Sequence, residues 1–141
     1  MIHDVSTDTD DPPAFVALRQ VRLQCRNGMD YSGGKQNPSD IQPQTFTHPR
    51  EKIFQAALDA ANTLQWHIAA AIENEGRIEA TATTRLLRFK DDVVIRLRAH
   101  QGHTRLDIRS ASRVGSSDFG ANAQRIRTFL RELNNHLKTV T

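Results

Sequence analysis

The strongest constraint on the fold is a series of four strand-like segments between Trp66 and Arg109. In each segment apolar and polar residues alternate with the two-residue period of a β-strand, so the apolar side chains share one face. Short turn sequences at 73–76, 89–92 and 100–103 separate the segments, which favours antiparallel hairpins. The apolar positions are Trp66, Ile68, Ala70 and Ile72; Ile78, Ala80 and Ala82; Val93, Ile95 and Leu97; and Leu106 and Ile108.

One amphipathic helix is predicted on each side of these strands, because apolar residues there recur at helical spacing. Ser117 or Asp118 is suited to cap the second helix. The order αββββα predicts an α+β fold over residues 49–141: a two-layer sandwich with a four-stranded antiparallel sheet and two helices packed on one face. The two apolar stripes are Ile53, Phe54, Ala57, Leu58, Ala61 and Leu64, and Ile126, Phe129, Leu130, Leu133 and Leu137.

The first 48 residues differ in character from the rest. They contain four of the five prolines and three of the seven glycines, and turns are indicated at 10–13 and 31–34. No helical or strand period is sustained, so the segment is either disordered or an extended strap lying on the domain. Its apolar residues favour the strap, which gives one domain in total: Phe15, Val16, Leu18, Val21, Leu23, Tyr31 and Ile41.

Composition excludes several classes of protein. The chain of 141 residues has 19 basic and 16 acidic residues and only 6% aromatic residues, so we expect no nucleic-acid partner. Cys25 is the only cysteine, so an intrachain disulfide is impossible. No apolar run approaches the roughly 18–20 residues of a membrane span. No recognised catalytic or cofactor motif is present; we therefore expect no cofactor and lean against an enzyme.

The polar face of the predicted sheet concentrates charged and hydroxyl side chains. Two interpretations stay open: a lattice of structural ion pairs, or a platform for an anionic or polar ligand. The small residues between Arg109 and the last helix suggest a weaker anion site, although Asp118 would compete for the same amide groups. The candidates on the strands are Glu79, Thr81, Asp92, Arg96, Asp107 and Arg109, and those in and after the turn are Ser112, Arg113, Asp118, Asn122 and Arg125.

Two other constellations are weaker. His100 and His103 lie three positions apart in a predicted turn, but a third ligand at a diagnostic spacing is missing, so they are weak candidates for a metal site. Asp91 and Asp92 point to opposite faces of a strand and make a poor acid–base dyad; we expect one of them to shape the turn.

Longer motifs carry a family resemblance. The segments 78–81, 89–96, 107–118 and 120–127, with the opening 2–13, closely resemble the domain-of-unknown-function family 1499. The resemblance implies that the strap is integral, and that Asp4 and Asp8 join the polar network. Members of that family often look membrane-associated, with hydrophobic segments ahead of the domain, so it also implies a cell-envelope location and a tether outside this chain. The sequence departs from the family pattern at Thr84–Arg88, which puts local packing in doubt.

Three functions are compatible with these observations. The first is a non-catalytic binding or scaffolding domain that uses the polar sheet face and the turn between Arg109 and Arg127, with a protein or an anionic small molecule as partner. The second is a small-molecule or lipid-handling domain with a cavity between sheet and helices. The third is a purely structural domain. The sequence sets no oligomeric state.

Overall fold

The computed structural model describes residues 2–29, 31 and 37–139. Most of the turn predicted at 31–34 lies outside these residues. Within these residues, six strands, three α-helices and one short 3₁₀ turn follow one another. In chain order they are β1 (Asp4–Ser6), α1 (Arg19–Leu23), β2 (Gln44–Phe46), α2 (Arg50–Thr63), β3 (His67–Ile72), the 3₁₀ turn (Glu73–Glu75), β4 (Arg77–Thr83), β5 (Lys90–His100), β6 (His103–Ser112) and α3 (Ala121–Thr139).

The strands form one antiparallel sheet in the order β1-β6-β5-β4-β3. Strand β2 pairs with the same edge of β6 as β1 does, but further towards the start of β6. The α+β class is therefore confirmed, whereas the predicted four-stranded sheet with two helices is wrong, because the sheet has six strands and the described chain has three helices. The missed elements β1, α1 and β2 have three to five residues each, too few to show a period.

The main core lies between the sheet and the two long helices. Helix α2 contributes Ile53 and Phe54, and α3 contributes Phe129, which stacks on Trp66 with ring centroids 5.5 Å apart. The apolar positions predicted for the strands from Ile78 onwards are all buried here. Strand periodicity thus identified the core face of the sheet correctly.

The opposite face of the sheet is covered by the chain that follows β1. Phe15 and Leu18 are buried against Val94 of β5 and Ala111 of β6. The short helix α1 lies on the same side, since its Arg22 donates hydrogen bonds to Asp92 and to the carbonyl of Ala111. The polar sheet face is therefore an internal surface.

Two turns decide local geometry. Gly76 has a φ of 63°, and a Cβ atom there would lie 2.5 Å from the carbonyl oxygen of Leu97, so only glycine fits. The turn predicted at 89–92 lies instead at 84–89, because Lys90 already begins β5. The expectation that Asp91 or Asp92 shapes a turn is wrong, since both pair with β6 inside the sheet.

No helix in the described part of the chain is long and apolar enough to cross a membrane.

Candidate functional site

Asp92 is the centre of a buried ion-pair cluster on the covered sheet face. Its Oδ2 atom lies 3.1 Å from Nη1 of Arg22, and its Oδ1 atom lies 3.0 Å from Nη2 of Arg113. The hydroxyl of Thr81 donates to Oδ1 at 2.9 Å. Its own hydrogen bonds to the Asp92 carboxylate raise the pKa of Arg113. A carboxylate that binds two guanidinium groups in this way is fully used by the chain itself.

A second buried pair joins β1 to β6. Arg109 donates to both carboxylate oxygens of Asp4, at 3.0 and 2.8 Å, and its guanidinium stands over the rings of Phe15 and Tyr31. Burial raises the pKa of Asp4 above its ordinary value, although Arg109 opposes the shift. Burial, helped by the nearby Asp4 carboxylate, also raises the pKa of Tyr31 to about 12.

Glu79 holds the covering chain at a different point. Its buried carboxylate accepts hydrogen bonds from three successive backbone amides, those of Val16, Ala17 and Leu18, at 3.0, 2.7 and 3.0 Å. It also pairs with Arg77. One buried side chain thus binds three successive amides of the covering chain, of which that of Leu18 lies in a buried hydrogen bond.

Asp8 and Asp107 bind two arginines at the outer edge of this face. Arg105 contacts Asp8 at 3.2 Å and Asp107 at 2.7 Å, and Arg96 contacts Asp8 at 3.1 Å. The hydroxyl of Thr7 donates to Asp107 at 2.6 Å. Burial opposes ionisation of Asp8, but two backbone amides and the arginines outweigh it and lower the pKa of Asp8.

The remaining candidates lie on the opposite side of the sheet, beneath α3. Arg125 contacts Asp91 at 2.7 Å, where the carboxylate is almost fully buried. The amide of Asn122 donates to Ser112 Oγ at 2.9 Å and to Asp118 Oδ2 at 2.8 Å. Asp118 also accepts from the backbone amide of Asn122 at 3.2 Å, as expected of a residue capping α3.

The candidate residues therefore form two networks on opposite faces of the sheet, not one platform. Every one of the thirteen polar candidates makes a side-chain hydrogen bond or ion pair within the chain. None of them points into open solvent on an uncovered sheet face. His100 and His103 face each other at the exposed end of the β5–β6 hairpin, and no group of three or more potential metal ligands occurs in the described residues.

An apolar pocket opens at the end of the sheet where β4, β5, β6 and α3 meet. Its volume is about 360 Å³, and it lies between the β4–β5 turn and the turn that precedes α3. Five of the eight exposed large hydrophobic side chains in the described structure line it. We call these five the apolar rim: Leu86, Leu87, Phe89, Val114 and Phe119.

Both turns that carry the apolar rim are fixed by hydrogen bonds. The amide of Thr84 donates to the carbonyl of Phe89, and the amide of Phe89 donates to the hydroxyl of Thr84, both at 2.8 Å. On the other side, Asp118 accepts from the amide of Gly120 at 2.8 Å. Phe119 between them has a φ of 52° and is 96% exposed. A bulky residue rarely adopts this backbone conformation. In Phe119 this conformation accompanies a ring that lies away from the core.

Sequence reasoning missed two parts of the site. Arg22 is almost fully buried on α1, yet it stands in a segment that showed no period. Three residues of the apolar rim lie in or next to the segment Thr84–Arg88, whose departure from the family pattern predicts only a change in local packing. The consecutive leucines between two arginines were the available signal, since neither strand parity nor a helix accounts for them.

The chain matches one known family over most of its length. The model of the family described as "Protein of unknown function (DUF1499)" matches residues 4–133. The chain belongs to this family. The match includes β1 and the covering segment, so the DUF1499 domain extends over both sheet faces. No curated protein matches the chain by sequence.

A solved structure resembles the DUF1499 domain in fold alone. The crystal structure of Ara h 8.0201 aligns with a TM-score of 0.51 and 13% identity, covering 69% of this chain and 95% of the other. The Thermus thermophilus protein TTHA0849 aligns with a TM-score of 0.41 and 10% identity, covering 70% of this chain and 96% of the other.

Proposed function

We propose that the chain is a non-catalytic binding domain whose contact region is the apolar pocket between the β4–β5 turn and the turn before α3. The observation that carries this proposal is the gathering of five exposed hydrophobic side chains around one pocket. Exposed apolar groups normally occur singly, and a cluster around a concavity of more than roughly 300 Å³ is typical of a ligand site.

The chemistry of the pocket supports binding over catalysis. Its two carboxylates, Asp91 and Asp118, are already bound by Arg125 and by the amides at the start of α3. The lining side chains include no histidine and no cysteine. The pocket thus offers apolar surface and a few polar edges, which suit the hydrocarbon part of a ligand.

This contact region agrees only in part with the one predicted from the sequence, which combined the polar sheet face with the turn between Arg109 and Arg127. The turn after Arg109 remains in it, since residues 112–121 form one wall of the pocket. The polar sheet face is not part of the contact region. We infer that its ion pairs are structural, because they fasten the described part of residues 1–48 to the domain of residues 49–141. The near-complete burial of Asp4, Glu79 and Arg109 supports this role.

A cavity between the sheet and the helices has less support. A groove of about 280 Å³ lies between the end of α2 and the first turns of α3, but it lacks a rim of exposed hydrophobic side chains. Its lining includes Leu64, Trp66 and Gln124. We therefore place the ligand at the apolar rim.

The test uses a neutral amphiphile, decyl maltoside below its critical micelle concentration, titrated into the ¹⁵N-labelled chain. We expect amide shifts confined to 84–89 and 112–121. Leu87→Asp should weaken binding at least tenfold, because a carboxylate placed in the pocket loses hydration. The matched control is Leu23→Asp, a similarly exposed leucine on α1. Equal loss in both variants, or shifts spread over the whole chain, would contradict the proposal.

A further inference from the structure

The apolar rim is accompanied by cations that the chain itself leaves unused. Arg85, Arg88 and Lys90 are exposed, and none of them forms an ion pair with a described residue. The arginines that face the sheet are all committed to carboxylates, as shown for Arg96 and Arg113. The β4–β5 turn therefore combines three free positive charges with three apolar side chains in seven residues, 84–90.

The acidic groups near this turn are too few to neutralise those charges. Asp91 is buried on the α3 side and paired with Arg125, which leaves the one carboxylate of Asp118, bound by amide groups, near three cations. The local excess of positive charge is thus directed outwards, towards whatever the rim contacts. Its electrostatic complement is an anionic surface.

The shape of the rim indicates what kind of surface. Leu86 is 93% exposed and Phe119 is 96% exposed, each at the tip of its own turn, so the two protrude from the edge of the pocket that they line. Protruding apolar tips with cations just behind them are typical of an element that enters a lipid interface, where the apolar groups enter the acyl boundary and the cations stay among the phosphates. Hydrogen bonds keep both tips in place before contact.

We propose that this end of the domain docks on an anionic phospholipid membrane, with Leu86, Leu87 and Phe119 entering the interface. The proposal rests on the binding function given above and names its occupant: the pocket accepts part of a lipid acyl chain, and Arg85, Arg88 and Lys90 contact lipid phosphates. Each cation at an anionic membrane surface contributes a factor of about five to the partition coefficient. Together the three cations contribute roughly a hundredfold.

The experiment measures flotation of the chain with vesicles of phosphatidylcholine alone and of phosphatidylcholine with phosphatidylglycerol. We expect binding to the anionic vesicles that weakens with added salt, and at least tenfold less binding to the neutral ones. Arg85→Ala with Arg88→Ala should reduce anionic binding about 25-fold, whereas Arg19→Ala with Arg131→Ala, two exposed arginines elsewhere, should not. Leu86→Ser should reduce it about tenfold and Leu23→Ser should not.

Phe119→Trp gives a direct readout of insertion. Its indole emission should shift to the blue on anionic vesicles, and the contribution of Trp66 is subtracted with the parent chain. Binding of decyl maltoside without any anionic vesicle binding would overturn the membrane proposal and leave the binding function standing. Vesicle binding that is insensitive to Leu86→Ser, or capture by a soluble acidic polypeptide at equal affinity, would also overturn it. Vesicle binding without decyl maltoside binding would refute the pocket instead.

Discussion

The Arg125 ion pair offers the sharpest test of which arginines are structural. Arg125 and Arg127 lie two positions apart on α3, and each contacts an aspartate, Asp91 and Asp40 respectively, at 2.7 and 2.6 Å. The side chains of the first pair are 12% and 2% exposed, and those of the second pair are 37% and 57% exposed. The pairs have nearly the same chemistry and differ in burial, so they form a matched comparison.

Arg125→Ala leaves the carboxylate of Asp91 buried without its cation. Losing one partner of a buried pair costs about 3–5 kcal/mol, because the remaining charge is neither hydrated nor paired. Against a total of about 5–15 kcal/mol for a domain, that is a large fraction of the free energy of unfolding. Arg127→Ala removes an exposed pair and should cost at most about 1 kcal/mol. The double variant Arg125→Ala with Asp91→Ala should recover part of the loss.

The assay is urea unfolding followed by the fluorescence of Trp66, the single tryptophan, which stacks on Phe129 of the same helix as Arg125. The expected order of stability is parent, Arg127→Ala, the double variant and then Arg125→Ala. If Arg125→Ala stays within about 1 kcal/mol of the parent, or if Arg127→Ala loses as much, the pair does not stabilise the fold. Arg125 would then return as a candidate ligand-binding residue.

Three further predictions address other parts of the fold. Glu79→Gln should lower the free energy of unfolding by about 2–4 kcal/mol and expose the amides of Val16–Leu18 to hydrogen exchange. The control is Glu75→Gln, at the exposed partner of Arg77, which should change the free energy of unfolding by less than about 0.5 kcal/mol. Amides as well protected in Glu79→Gln as in the parent chain would contradict this prediction. Gly76→Ala should cost at least about 2 kcal/mol in thermal unfolding, because a Cβ atom would meet a backbone carbonyl; an unchanged melting temperature would show that the turn can move. The pKa of Tyr31 is raised to about 12 in the folded chain, so the free energy of unfolding should fall as pH rises from about 10 towards 12. Ionisation of this single tyrosine is followed by its phenolate absorbance at 295 nm. A titration midpoint near 10 in the folded protein would refute the burial of its hydroxyl.

Much of the fold could be predicted from the sequence, for a definite physical reason. Each strand from Ile78 to Ile108 buries one face only against the main core, so parity alone separates the core positions from the polar ones. Helix α3 shows its apolar stripe over 19 residues, long enough for several turns. By contrast β1 and β2 have three residues each and gain their place from pairing with β6, which no local pattern records.

The candidate site could be predicted only in its components. The polar residues were found because charge on a strand is conspicuous, but parity does not say whether a second layer covers them. Asp92 illustrates the gap: its partner Arg22 lies 70 positions away in a segment without a period. The apolar rim could not be derived either, because exposure of Leu86 and Phe119 depends on how two distant turns meet.

The pairing of β1 with β6 has a consequence for the order of events during synthesis. Asp4 and Arg109 are 105 positions apart, so the first strand leaves the ribosome long before its partner is made. At about 5–20 residues per second, the wait lasts roughly 5–20 s. During that time Phe15 and Leu18 have no sheet to cover, since Ala111 of β6 does not yet exist. Nascent chains that stop before β6 should therefore be bound by chaperones that recognise exposed apolar segments, and completion of β6 should release them.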